Sequence, residues 1–175
     1  MTRLDAVPRR TRTFPSVRGR DHDEARHDLH APAGRHSPGG SERRAPLPRT
    51  LEGLSVLVVD DDESTLDFFA TALTLCGAVV TTSMSAVEAL AAVTTIRPNV
   101  VVSDLAMAGE DGYWLIRAIR QLPEPALHAM PVIAATAYGR EHSRARAIAA
   151  GFIEHLPKPV DPEVLCRVVA KAVGR

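Results

Sequence analysis

The stretch Val56–Thr65 reads VLVVDDDEST: four apolar residues run straight into three aspartates and a glutamate. Two unit charges ~4 Å apart repel by about 4 kcal/mol at an effective dielectric of roughly 20, so carboxylates packed side by side need something that relieves them. Other chemistry-bearing residues also end apolar runs. Asp104 closes NVVVSD (Asn99–Asp104), Thr136 closes PVIAAT (Pro131–Thr136), and Lys158 follows FIEHL in LPKPV (Leu156–Val160). An oxygen-only donor set with an incomplete cage suits Mg²⁺, which keeps several waters and binds through one or two carboxylates plus a phosphate. A dinucleotide site would need a glycine-rich turn after the first strand; acids stand there instead.

These residues meet only if the intervening elements bring them together. SVLVV (Ser55–Val59), AVVTT (Ala78–Thr82), NVVVSD, PVIAAT and FIEHL (Phe152–Leu156) read as short, largely apolar strands, as expected when both faces of a sheet are covered. Helical stripes separate them. Ser64 with Asp67 and Ser85 with Glu88 have capping spacing, and Leu66, Phe69, Ala70 and Leu73 follow the first at helical intervals. Ala86, Leu90 and Val93 make the second stripe, and Leu115, Ala118, Ile119 and Leu122 the third. A fourth helix around Arg140–Ala150 stops at Gly151, and Asp161 with Pro162 opens a fifth in which Leu165, Val168, Val169 and Ala172 face inward. Five βα units imply an α/β fold with a parallel sheet and helices on both faces. In such sheets ligands bind beyond the carboxyl ends of the strands. Asp60, Asp61, Asp104, Thr136 and Lys158 all fall on that edge.

The chain of 175 residues has zero formal net charge, but its two parts differ. Residues 1–50 hold 11 arginines against 6 acids (+5), and residues 51–175 hold 10 basic groups against 15 acids (−5). Residues 1–50 also contain six prolines and four glycines but only six residues from Leu, Ile, Val and Phe. That composition predicts a disordered arm, because it buries too little apolar area to offset ordering entropy. The domain division expected is therefore an arm at 1–50 and one α/β domain at 51–175. No run of 18 apolar residues and no signal peptide is evident, so a reduced cytoplasmic protein is expected. Cys76 and Cys166 read as small core residues rather than a redox pair. His22, His27, His30 and His36 lack metal-site spacing.

The motifs VLVVDDDE, VVSDLAMAGEDGYWL, PVIAATAY and GFIEHLPKPVD occur in order and at suitable separations. Over about residues 53–173 the chain resembles the receiver domain of two-component response regulators, and its motifs look most like the C-terminal receivers of hybrid sensor kinases. The resemblance implies a flavodoxin-like (βα)5 fold with strand order 2-1-3-4-5. It implies Asp104 as the acceptor of a phosphoryl group from a kinase histidine, and Mg²⁺ as cofactor. Asp61 corresponds to the direct metal ligand, Asp60 to the carboxylate that reaches the metal through water, and Ala106 to a backbone-carbonyl ligand. Thr136 corresponds to the hydroxyl that turns toward the phosphate. Lys158 corresponds to the ammonium that pairs with it, in a Lys-Pro step that is usually cis. His155 occupies the place of an aromatic switch residue. Ala108 is a departure, because the family often has proline four positions after the acceptor.

Asp62 and Glu63 read as a solvated loop complementing a helix dipole rather than as further ligands. Only two lysines accompany 19 arginines, so a lysine kept at position 158 suggests a need for a compact point charge. Phosphoryl transfer needs positioning and charge neutralisation more than covalent assistance. The expected protein is thus a phosphorelay receiver, not an enzyme beyond its own Mg²⁺-dependent phosphotransfer and autodephosphorylation. A kinase or hybrid kinase would be the phosphodonor and an unknown protein would read the output. The chain ends at Arg175, immediately after the last helix, which leads the sequence to be read as a receiver without an attached effector. The alternative is a receiver-regulated binder of nucleic acid or acidic surfaces acting through the arginine-rich arm. The six interleaved acids and the near absence of aromatics argue against it, and a misplaced start would also account for the arm.

Overall fold

A computed structural model describes residues 49–137 and 143–175, and the backbone of Thr13 and Phe14. Elements follow the expected alternation: β2 (Ser55–Val59), α1 (Glu63–Leu75), β3 (Val79–Ser83), α2 (Ala86–Ile96), β4 (Val100–Ser103) and α3 (Gly112–Arg120). A short α4 (Pro125–His128) precedes β5 (Val132–Ala137), α5 (Arg144–Ala150), β6 (Glu154–Lys158) and α6 (Pro162–Ala172). The first element in the chain is β1 (Thr13–Phe14).

The sheet order is β1-β3-β2-β4-β5-β6. From β2 onward the five strands are parallel, in the expected 2-1-3-4-5 order. β1 pairs antiparallel with β3, Thr13 opposite Thr81 and Phe14 opposite Val80. So two residues of the arm do adopt regular structure, contrary to the expectation for residues 1–50. An edge strand presents unpaired backbone groups, and β1 satisfies some of those of β3. The four arm histidines and the rest of residues 15–48 lie outside the described residues, as do Tyr138 and the start expected for the fourth helix at Arg140.

Apolar residues alternate between two cores because successive strand side chains point to opposite faces. Val56, Val58, Val100, Val102, Ile133 and Ala135 pack under α1 and α6. Leu57, Val59, Val101, Val132 and Ala134 pack under α2, α3 and α5. Local signals set most boundaries. Ser85 caps α2 by accepting from the Glu88 N–H, and Asp161 caps α6 by accepting from the Glu163 and Val164 N–H groups. Gly77 (φ 97°) follows the end of α1, in the left-handed region glycine favours. α1 itself starts two residues earlier than the capping pattern suggested. Asp62, not Ser64, is its N-cap, and Ser64 instead donates to Asp62. The last strand runs to Lys158, two residues beyond the expected FIEHL segment.

Cys76 and Cys166 are buried as expected, at 0% and 3% exposure. They are not separate thiols, however: a disulfide joins them across 90 residues, with Cα atoms 6.5 Å apart. That corrects the expectation of a reduced pair. The signal was missed because the spacing of two cysteines says nothing about their distance in space; the packing of α1 against α6 decides it.

Candidate functional site

Three loops at the carboxyl edge of the sheet build the site. β2 ends at Val59, so Asp60 and Asp61 leave the sheet there. β4 ends at Ser103, and Asp104 leaves beside them. The Asp104 N–H donates to the Val59 carbonyl oxygen at 2.8 Å, and the Asp60 N–H donates to Ser83 at 3.1 Å, so backbone bonds fix both departure points. One carboxylate oxygen from each of Asp60, Asp61 and Asp104 lies within 4.8 Å of the others. Asp60 is 1% and Asp104 7% exposed, whereas Asp61 is exposed.

Lys158 enters from the end of β6. Its Nζ donates to Asp60 Oδ2 at 2.5 Å and to Asp104 Oδ2 at 2.6 Å. Burial pushes the Asp60 carboxyl above the ordinary range, although hydrogen bonds from Lys158 and the Asp62 N–H pull it down. Burial also works against the charged form of Lys158, but its hydrogen bonds to Asp104 and Asp60 outweigh it and hold the ammonium above its usual value. The two directions agree in cause. Two carboxylates share one ammonium, so the cation gains more than Asp60 recovers. The Lys158–Pro159 bond is cis, matching the Lys-Pro step that the resemblance implied.

Backbone amides orient the remaining acids. The Ala106 N–H donates to Asp104 Oδ1 at 3.1 Å. The Ala108 N–H donates to Asp61 Oδ2 at 2.9 Å. Proline, frequent at this position in the resembling family, has no N–H and could not make that bond. The departure seen in the sequence therefore ties Asp61 to the β4–α3 loop. Asp62 turns away as the cap of α1, and Ser64 and Thr65 bind its side chain and lower its pKa.

Gly112 was not singled out from the sequence. A Cβ there would lie 2.1 Å from the Asp104 carbonyl oxygen, so only glycine lets α3 start against this loop. Its signal, a glycine inside an apparent helix start, is weak without the fold. Thr136 sits at the carboxyl end of β5, 1% exposed, and its hydroxyl is among the buried groups without a hydrogen-bond partner. His155 Nε2 is another. His155 pairs in register with Ala134, which shares its face of β5 with Thr136, so these two orphaned polar groups lie diagonally on one face. Beside the acids, Ser64, Thr65, Phe68, Lys158, Pro159 and Val160 line an open, mainly apolar cleft of about 520 Å³.

The donor set fits Mg²⁺. All three acidic side chains offer hard oxygens, two are buried, and one ammonium cannot neutralise three carboxylates.

Residues 56–170 match the family model of the response regulator receiver domain. The chain belongs to this family. The receiver is 44% identical over 121 residues to an uncharacterized 14.6 kDa protein in the sodA1 3′ region of Leptolyngbya boryana, covering 69% of this chain and 91% of that one. It is 38% identical over 117 residues to the DNA-binding transcriptional regulator NtrC of Klebsiella pneumoniae, covering 67% of this chain but only 24% of that protein. Among solved structures, the receiver resembles the chemotaxis protein CheY4 of Vibrio cholerae, with a TM-score of 0.63 at 27% identity, covering 68% of this chain and 98% of that one. A receiver domain protein from Clostridium thermocellum gives 0.63 at 28% identity, covering 70% and 95%. The chain thus spans most of the Leptolyngbya protein and of the two solved structures, and about a quarter of NtrC.

Proposed function

We propose that this receiver takes a phosphoryl group from the phosphohistidine of a histidine kinase or hybrid kinase onto Asp104 and passes the change to a protein-binding surface. The observation that carries this reading is Lys158 Nζ, 2.6 Å from Asp104 Oδ2 inside a cluster of acids. The Asp104 carboxylate attacks phosphorus, the phosphorus–nitrogen bond breaks, and the leaving imidazole takes a proton. Lys158 offsets charge on the transferring oxygens, and the Ala106 N–H orients the nucleophile. Asp60, Asp61 and Asp104, with the Ala106 carbonyl, would hold Mg²⁺, which supplies the charge neutralisation that this transfer needs. The donor approaches over the apolar cleft beside Lys158. Receiver and donor would meet in the cytoplasm; no helix among the described residues is long and apolar enough to cross a membrane.

Thr136 and His155 are the switch in this reading. A phosphoryl group adds about −1.5 to −2 charge beside Asp104, and it gives the unpartnered Thr136 hydroxyl an acceptor. His155 moves into the space vacated, and the surface of α5, β6 and α6 changes shape.

The test uses Mg²⁺ and a small phosphodonor. Wild type should acquire an acid-labile phosphoryl group, and Asp104→Asn should acquire none. Wild-type incorporation by the variant would refute the assignment.

A further inference from the structure

A second cavity of about 490 Å³ runs along α6 from Glu163 to Arg175, and Cys166 forms part of its wall. Cys76, its disulfide partner, is fully buried and does not line this cavity. Arg167, Lys171 and Arg175 stand around the opening against one carboxylate, Glu163, and all four are exposed. The Arg175 guanidinium is held in place by donating to the Glu52 carbonyl oxygen at 2.8 Å.

We propose that this cavity is the port through which a small anionic thiol opens the Cys76–Cys166 bond. The cations raise the local concentration of an anion and favour the thiolate, which is the nucleophile in disulfide exchange. Geometry selects the sulfur attacked. The incoming thiolate reaches Cys166 Sγ, forms a mixed disulfide there, and expels Cys76 as a thiolate that takes a proton. A second thiolate then attacks the small-molecule sulfur of the mixed disulfide and releases Cys166. In sum, one protein disulfide and two thiols yield two protein thiols and one small disulfide. Reduction unties α1 from α6, the two helices that begin beside the acids and beside Lys158 respectively. The bond is then a reversible modification of the receiver rather than a permanent staple.

The experiment uses the full chain. Alkylation of the native protein without reductant should add no label by mass. Reduction is then timed with mercaptoethanesulfonate, mercaptoethanol and cysteamine, which are anionic, neutral and cationic. Each rate is divided by that of the same thiol with a small exposed peptide disulfide. At low ionic strength the normalised anionic rate should exceed the cationic rate by about tenfold, and salt should erase the contrast. The double variant Arg167→Glu/Lys171→Glu, changed only at exposed positions, should lose or reverse it. A mixed disulfide trapped early should map to Cys166. Two alkylatable thiols at the outset, equal normalised rates, a contrast that survives in the double variant, or a trapped adduct on Cys76 would each overturn the proposal.

Discussion

α1 and α6 run side by side between two regions that are held together by opposite means. At one end Asp60, Asp61, Asp104 and Lys158 form a cluster in which acids outnumber the paired cation. At the other, Cys76 and Cys166 close the same helix pair covalently within an apolar core. The first region is left short of positive charge and can gain by taking a cation. The second is closed by a covalent bond. The contrast teaches that the charge-deficient, reactive end and the covalently closed end are separated along these helices.

The largest expected effect is at the covalent end. A cross-link spanning 90 residues restricts the unfolded chain, which in the chain-entropy account contributes up to about 4–5 kcal/mol. Thermal melts with and without reductant should show a drop of many degrees, while Mg²⁺ affinity of the still-folded protein changes little. A melting temperature indifferent to reductant would erase the division between the two ends.

Next comes Lys158→Met. It leaves Asp60 and Asp104 without their shared ammonium, and phosphorylation by a small donor should slow by about 10²-fold. Stopped-flow or quench measurements at saturating Mg²⁺ check this; a rate within a factor of about two of wild type would show that Lys158 serves packing only.

The smallest effect sharpens the boundary of the reactive end. Asp62 adjoins Asp61 yet caps α1, so Asp62→Ala should lower the melting temperature slightly and leave Mg²⁺ affinity unchanged in a titration. The folded-state pKa of Asp62 is depressed by Ser64 and Thr65. Its contribution is therefore present above the unfolded carboxyl range, near pH ~4, and is lost as pH falls through the lower folded value. The difference between variant and wild type should accordingly shrink in acid. A loss of Mg²⁺ binding in this variant would move the cation site onto the third aspartate.

The sequence by itself determined the βα alternation, the parallel sheet and the acids that leave its carboxyl edge. Those signals are local: an apolar run buried on both faces, a cap residue, a glycine after a helix. It also separated Asp62 from the clustered acids by its place at a helix start, though it assigned the cap to Ser64. Tertiary structure decided what depends on approach between distant segments. Only the docking of α1 on α6 shows that Cys76 meets Cys166. Only the entry of α3 against the β4 loop shows why residue 112 is glycine, with the Asp104 carbonyl 2.1 Å from where a Cβ would be. The pairing of Thr13–Phe14 with β3 was invisible because a two-residue strand carries no period of its own; it exists by virtue of the edge it covers. Likewise the Ala108 N–H acquires a role only when the β4–α3 loop brings it to Asp61, 47 residues away in the chain. Local chemistry fixes which elements form. Contacts between distant segments are set by how those elements pack, and no spacing in the sequence records that.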